Sequence, residues 1–182
     1  MNLDGLISSL AAGNARVFDE IYQKTVKTVY YIALSVVKAR SAAEDVVQTT
    51  YLNVLRAAKQ YQKGTNALAW IARIARNEAV NLYKKRKREE GVDVSDPAIL
   101  PSFGTTETDD YGLLVDFARR NLPEDEFSVL MLAAAEGYKR REIAEILGMP
   151  VSTVTWKYNQ AMQKMRAYLK EDNQKTGKGG RK

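Results

Sequence analysis

The sequence predicts an all-α protein made of two small helical domains joined by an irregular linker. Apolar residues recur at helical spacing in nearly every patterned segment, and the alternation typical of strands is absent. The helical pattern collapses between residues 91 and 110, where Pro97 and Pro101 stand among turn-forming residues. Lys and Arg number 28 against 22 Asp and Glu, a net charge of +6 that fits a polyanionic partner without identifying it.

The residue types that are missing exclude several classes of function. The chain of 182 residues contains no Cys and no His, which rules out disulfides, thiolate metal sites and His-based catalysis. It also lacks a Gly-rich phosphate loop. No apolar run approaches the roughly 20 residues needed to cross a bilayer, and the first residues lack the basic region of a secretion signal. We therefore expect a soluble, cytoplasmic protein that is not an enzyme and uses no metal or cofactor.

The first domain, residues 1–90, opens with two predicted helices. Asn14 is a suitable cap before an apolar stripe that runs from Phe18 to about Val37. The segment from Ser41 to Glu44 has the spacing of a capping box, which predicts a second helix to about Ala58. The inner side of this helix is formed by Val47, Tyr51, Val54 and Ala58. Another face, either a docking surface or a solvated one, carries Asp45, Gln48, Leu52 and Arg56.

A third helix of this domain is predicted to begin after a polar loop, with Asn66 as its cap. Its outer face carries Trp70, Arg73, Asn77, Asn81 and Lys84. The helix ends in the run from Lys84 to Arg88, which consists of five consecutive cations. A basic helix end is favourable for the helix dipole alone, but five cations exceed that need. Cations beside an exposed indole, amides and a loop tyrosine suit single-stranded or melted nucleic acid.

The second domain is predicted to span residues 111–170, after a linker at 91–110. Its helices are expected from Tyr111 to Asn121 and, after Pro123 at the first helical position, from Glu124 to Glu136, closed by Gly137. The last segment, residues 171–182, has no apolar content, and we expect a disordered basic tail.

This domain ends in a predicted helix-turn-helix. Gly148 and Pro150 separate two helices, and Ser152 is placed to cap the second. The apolar stripe of the second helix leaves a polar face that carries Thr153, Thr155, Trp156, Lys157, Asn159, Gln160 and Lys164. This arrangement is typical of helices that enter the DNA major groove, although a plain helical hairpin has the same pattern.

The start of the first of these helices breaks a local rule. Lys139, Arg140 and Arg141 crowd an end where the helix dipole disfavours cations, and no Ser, Thr, Asp or Asn stands as a cap. A DNA phosphate would supply the missing anion. The violation therefore favours DNA binding over a plain hairpin.

The order of these segments resembles bacterial sigma factors of the extracytoplasmic function group, within the sigma-70 family. The resemblance is carried by SAAEDVVQTTYLNVLRA, then AWIARIARNEAVNLYKKRKR, then the linker, then LPEDEFSVLMLAAAEGYKRREIAEILGMPVSTVTWKYNQAMQKMR. It spans about residues 18 to 168. It implies two helical domains, sigma regions two and four, that bind core RNA polymerase and direct promoter recognition, DNA opening and initiation. It also implies an anti-sigma protein as a partner.

The resemblance assigns residues to three contacts. Binding of core polymerase is implied for Asp45, Gln48 and Arg56. Contact with the unwound minus-ten element is implied for Tyr61, Lys63, Asn66, Trp70, Arg73, Asn77 and Asn81, with the basic residues Lys84, Lys85 and Arg86 beyond them. Contact with the minus-thirty-five duplex is implied for Ser152, Thr153, Thr155, Trp156, Lys157, Asn159 and Gln160, beside Arg140 and Arg141.

The chain departs from the family pattern at several positions. Thr49 and Tyr51 stand where Glu and Phe are usual, and Trp156 stands where a small residue is usual. Gln160 occupies a position where Arg is frequent, so adenine replaces guanine as its expected partner. These changes leave the fold intact but make the promoter sequence unpredictable.

Other readings of the sequence remain open. The chain can be a sigma-like decoy that binds an anti-sigma protein and no DNA, but the basic run from Lys84 to Arg88, Trp70 and Lys157 argue against that. It can also be an ordinary helix-turn-helix regulator of duplex DNA, which leaves the first domain unexplained. A nucleic-acid enzyme is the weakest alternative, because Glu44 and Asp45 already have capping and docking roles.

Overall fold

The computed structural model describes residues 2–90 and 110–177 of the chain. Within those ranges every regular element is helical and no strand occurs. The all-α prediction is therefore confirmed. The predicted linker lies almost wholly outside the described residues.

Four α-helices and two short 3-10 turns form the first helical unit. The α-helices are α1 (Leu3–Ala11), α2 (Phe18–Val37), α3 (Arg40–Ala57) and α4 (Ala67–Glu90). The 3-10 turns are Ala15–Val17 and Ala58–Gln60. Helices α2, α3 and α4 pack against one another, because each presents an apolar stripe to the other two. The predicted inner residues of α3 are confirmed as buried: Val47, Tyr51, Val54 and Ala58.

The second helical unit contains four further helices. They are α5 (Asp110–Asn121), α6 (Glu124–Ala134), α7 (Arg140–Leu147) and α8 (Val151–Gly177). Helix α6 packs on α7 and α8, around the fully buried side chains of Phe127, Leu132 and Ile143. The two units also contact each other, α2 against α6 and α4 against α7.

Two predicted serine caps are wrong. Helix α3 begins at Arg40 after an extended Ala39, so Ser41 lies inside the helix and no side chain caps it. A tertiary contact explains this start, since the guanidinium of Arg40 meets Asp116 of α5 at 2.9 Å. Helix α8 begins at Val151, which puts the exposed Ser152 in its first turn.

The ends of α6 and α8 also differ from the prediction. Pro123 is the residue before α6, with extended backbone, and the helix ends at Ala134, short of Glu136. Helix α8 continues through Gly177, where the sequence had suggested a disordered tail. The segment after Leu169 lacks Gly and Pro until Gly177, so nothing in it breaks a helix that packing has already nucleated.

Helix α1 was missing from the sequence-based interpretation. Asn2 caps it by accepting the backbone N-H of Gly5 at 2.9 Å, and Leu6 and Ile7 are fully buried. The sequence signal for α1 is an N-cap residue followed by apolar residues at helical spacing. Among the helices of the described ranges, none is long and apolar enough to cross a membrane.

Candidate nucleic-acid and polymerase interface

The loop before α4 is braced by Tyr61. The ring of Tyr61 packs on Trp70 with 5.2 Å between the ring centroids. Its hydroxyl donates to the carboxylate of Asp4 and the carbonyl of Thr65. Burial, followed by the hydrogen bond to Asp4, raises the pKa of Tyr61, which keeps the phenol a neutral donor. Helix α1 thus holds the loop in place, and its role was invisible in the sequence.

Asn66 makes two hydrogen bonds at the start of α4. Its Oδ1 accepts the backbone N-H of Ala69 at 3.0 Å, which confirms the predicted cap. Its Nδ2 donates to Oε2 of Glu145 on α7 at 2.8 Å. A pocket of about 570 Å³ opens beside it. The pocket is lined by Gln60, Gln62, Thr65, Asn66, Ala69, Trp70, Arg73 and Glu145.

The predicted strand-binding residues of α4 continue from this pocket along one exposed surface. Arg73, Asn77, Asn81 and Lys84 are all exposed, as is Lys63 in the loop. These positions recur at spacings of three and four, so they form one line. The line carries amides and cations only, which suits contact with a nucleic-acid strand.

Two cations at the basic end of α4 lie near acidic side chains and are therefore only partly available to bind nucleic acid. Lys85 is exposed and lies 3.9 Å from Glu89, an exposed pair of little energetic weight. Arg86 is less exposed and lies 3.7 Å from Asp45 of α3. A predicted minus-ten residue and a predicted polymerase residue therefore neighbour each other.

The outer face of α3 presents the predicted polymerase-binding residues in one row. Asp45, Gln48 and Arg56 are exposed. Leu52 lies between them with 52% of its surface exposed, and Leu55 beside it is 41% exposed. Apolar side chains open to water within a polar row are typical of a protein-binding surface.

The turn of the helix-turn-helix forms as the sequence predicts. Gly148 adopts a left-handed conformation with φ +65°, which glycine takes without strain. The N-H of Met149 then bonds the carbonyl of Ala144 at 2.9 Å. This closes α7 and turns the chain toward α8.

Three of the seven predicted minus-thirty-five residues of α8 lie on its exposed face. Ser152, Trp156 and Asn159 are exposed, and Trp156 is 58% exposed. Thr153, Thr155 and Gln160 are half-buried. The Thr155 hydroxyl donates to the carbonyl of Val151 at 2.9 Å, so its polar atom is already used locally.

Lys157 points toward the protein and away from the exposed face. Its ammonium lies 3.0 Å from the carboxylate of Asp125 on α6, and only 19% of its side chain is exposed. The ammonium is 5.8 Å from the ring centre of Trp156. The structure therefore separates Lys157 from the other predicted DNA contacts and gives it a stabilising partner.

The basic start of α7 has a cap that the sequence reading missed. Glu142 reaches back and accepts the backbone N-H of Lys139 at 2.6 Å. Arg140 lies over the ring of Tyr158, 4.8 Å from its centre, and Arg141 is exposed. A cleft of about 680 Å³ here is lined by both arginines, Tyr138 and Val151. Glu142 lines the same cleft, so the anion that we expected from a DNA phosphate is supplied by the chain itself.

Two sigma-factor family models match the chain: Sigma-70 region 2 over residues 21–89 and Sigma-70, region 4 over residues 115–165. The chain is also 34% identical over 145 residues to the ECF RNA polymerase sigma factor EcfG of Rhodopseudomonas palustris (strain TIE-1). That alignment covers 77% of this chain and 78% of EcfG. The chain belongs to the ECF sigma factors.

Two solved structures share the fold of this ECF sigma factor. CnrH, solved in complex with the cytosolic domain of CnrY, has a TM-score of 0.67 and 23% identity. That match covers 93% of this chain and 97% of CnrH. The sigma factor RpoE of Bartonella quintana, solved with the anti-sigma factor NepR, has a TM-score of 0.65 and 25% identity. It covers 84% of this chain and 96% of RpoE.

Proposed function

We propose that this ECF sigma factor binds core RNA polymerase through the exposed row on α3 and directs promoter recognition, DNA opening and transcription initiation. The observation that supports the proposal is the presence of two separate exposed surfaces whose residue types suit nucleic acid. One is the amide and cation line on α4, and the other is the exposed face of α8. A regulator of duplex DNA needs only the second surface.

The α4 surface takes the unwound minus-ten element. Trp70 provides a ring for stacking on a base, while Asn66 and Arg73 supply donors at the pocket. Arg73, Asn77, Asn81 and Lys84 then follow the strand. Stacking contributes about 1–3 kcal/mol per base with little sequence preference.

The α8 surface reads the minus-thirty-five element as a duplex. Trp156, Asn159 and Gln160 face base edges in the major groove, and Arg141 binds a flanking phosphate. An amide such as that of Gln160 pairs with adenine, each good contact discriminating by about 1–3 kcal/mol. Lys157 acts on DNA binding indirectly, because its ion pair with Asp125 holds α8 on α6.

The protein performs no chemistry of its own, because the polymerase supplies the catalytic site. It acts in the cytoplasm, where polymerase and chromosome meet. An anti-sigma protein is a further partner. This is supported by the complexes of CnrH with CnrY and of RpoE with NepR, two sigma factors of the same fold.

Transcription with purified components tests the proposal. The chain is added to core polymerase with a library of promoter fragments, and run-off transcripts are sequenced. We expect transcripts only when both proteins are present. Core polymerase that starts equally often at random positions with and without the chain would contradict the proposal. A decoy would bind an anti-sigma protein but yield no transcripts.

A further inference from the structure

A carboxylate from the other helical unit lies on the wall of the pocket at the start of α4. Glu145 of α7 reaches Asn66 with 2.8 Å between Oε2 and Nδ2, and its side chain lines the pocket beside Trp70 and Arg73. The Oδ1 atom of Asn66 already caps α4, so only its Nδ2 group is left to face the pocket. One of the two N-H groups of Nδ2 is therefore used by Glu145.

The chemistry of this contact matches that of a nucleic-acid strand. Base carbonyls and phosphate oxygens are hydrogen-bond acceptors, and the phosphates carry negative charge. The carboxylate of Glu145 is both an acceptor and an anion, and it lies where such a group would meet Asn66. A strand that enters the pocket meets repulsion from this charge and finds one of the two amide N-H groups of Asn66 already bonded.

In other contacts between the units, the second unit also supplies the acidic residue. Arg76 of α4 donates from Nε and Nη2 to the same oxygen of Glu124, at 2.9 and 2.8 Å. Arg40 of α3 donates to Asp116 of α5 at 2.9 Å. In each pair the second unit supplies the acid and the first supplies the cation. Complementary charge thus favours the arrangement in which Glu145 reaches the pocket.

We propose that Glu145 holds the free protein in a self-inhibited form, because its carboxylate lines the pocket that takes the unpaired promoter strand and is bonded to Asn66 there. We further expect the two helical units to move apart when the strand enters. The proposal rests on the proposed function, since it assigns that pocket to the minus-ten strand. Its energetic scale is modest, because the Asn66–Glu145 hydrogen bond is exposed.

Binding of single-stranded DNA to the free protein tests the proposal. The probe is a fluorescein-labelled 12-nucleotide DNA of mixed sequence, and the readout is anisotropy. Glu145→Gln should bind it about 3- to 10-fold more tightly than the parent, as the competent fraction rises. Glu20→Gln on α2 is the matched control, because it changes the net charge equally but lies outside the pocket lining. Equal gains in both variants, or no gain in Glu145→Gln, would overturn the proposal.

Separation of the units is measured independently. The chain contains no cysteine, so Lys59→Cys and Gln163→Cys provide the only thiols for a dye pair. Both positions are exposed. Energy transfer should fall in the Glu145→Gln background and on addition of the DNA probe to the parent. Transfer that stays constant in both cases argues against separation.

Failure of this inference differs from failure of the proposed function. If the parent initiates with core polymerase while Glu145→Gln binds the probe no better, only the self-inhibition is refuted. If the parent neither initiates nor binds promoter DNA, the proposed function falls, and the inference falls with it.

Discussion

The hydroxyl of Tyr51 lies 2.7 Å from the hydroxyl of Thr25, inside the core of the first helical unit. Thr25 also donates to the carbonyl of Ile21 at 2.7 Å, so Tyr51 donates to Thr25. Burial raises the pKa of Tyr51, consistent with a phenol that stays protonated. The pair gives a buried partner to the hydroxyl that distinguishes Tyr51 from the Phe expected by resemblance.

Replacement of Tyr51 by Phe should therefore destabilise the protein despite restoring the usual residue. The variant loses one buried hydrogen bond, at a cost of about 0.5–1.5 kcal/mol. Urea unfolding measures the change. Thr25→Val supplies the second arm of a double-mutant cycle, and strictly additive effects of the two substitutions would show that the pair does not interact.

Leu52 should contribute to polymerase binding without contributing to stability. Its side chain is half exposed in the free protein, and burying a leucine in an interface is worth about 1.5–3 kcal/mol. Leu52→Ala should weaken binding to core polymerase by about 10-fold or more, with an unchanged melting temperature. Asp45→Ala should weaken it as well. The matched control is Leu113→Ala on α5, which is 60% exposed. If the two leucine variants bind alike, the α3 row is not the docking surface.

The basic end of α4 should control the salt dependence of promoter opening. Lys84→Gln with Lys85→Gln removes two exposed cations from the basic end of α4. Each lost phosphate contact should reduce the slope of log affinity against log salt by about 0.7 for a single strand. Permanganate footprinting measures the opening at several salt concentrations. Lys24→Gln with Lys27→Gln on α2 carries the same change in charge, and should leave the slope near that of the parent.

Lys157 and Arg141 should respond in opposite ways to neutralisation. Lys157→Gln breaks the ion pair with Asp125 and should lower the melting temperature, with little change in the salt dependence of duplex binding. Arg141→Gln should leave stability unchanged and reduce the salt slope by about 1. A steep loss of duplex affinity in Lys157→Gln at unchanged stability would reassign this lysine to the DNA.

Glu136 should make the protein less stable as pH rises. Burial raises its pKa above the ordinary value, and the charge of Lys27 opposes only part of that shift. A carboxyl with a raised pKa in the folded state favours folding at low pH, and this contribution is lost as pH rises through the folded value. Glu136→Gln should therefore raise the melting temperature at pH 7, and the difference should vanish below about pH 4. Glu89→Gln, at an exposed position, is the control. A constant difference across that pH range would contradict the assignment.

The sequence predicted local structure well where one segment carries its own signal. The stripe of α2, the Asn66 cap and the Gly148 turn depend on neighbouring residues, and all three formed as expected. Ser41 and Ser152 have the chemistry of caps. The chain nevertheless begins α3 one residue earlier, where Arg40 meets Asp116, and begins α8 at Val151.

Features that depend on distant parts of the chain lay beyond sequence reasoning. Glu145 reads as a solvated acid on α7, and only the packing of α7 on α4 brings it to Asn66. Asp125 and Asp4 likewise have ordinary local roles as early acids in their helices. Their partners, Lys157 and Tyr61, are remote in sequence, and no periodic pattern links them.

The length of helix α4 limits how many nucleotides can lie along it. Its 24 residues measure roughly 36 Å at 1.5 Å per residue. About ten nucleotides fit along it if they are 3.4 Å apart, as in one strand of a duplex. Fewer fit if the strand is stretched. If α4 binds the unpaired strand as proposed, with the pocket at one end and the cationic run at the other, the length of the helix limits the number of unpaired bases that it contacts. Inserting or removing a helical turn between Asn77 and Asn81 would change how many bases are held open.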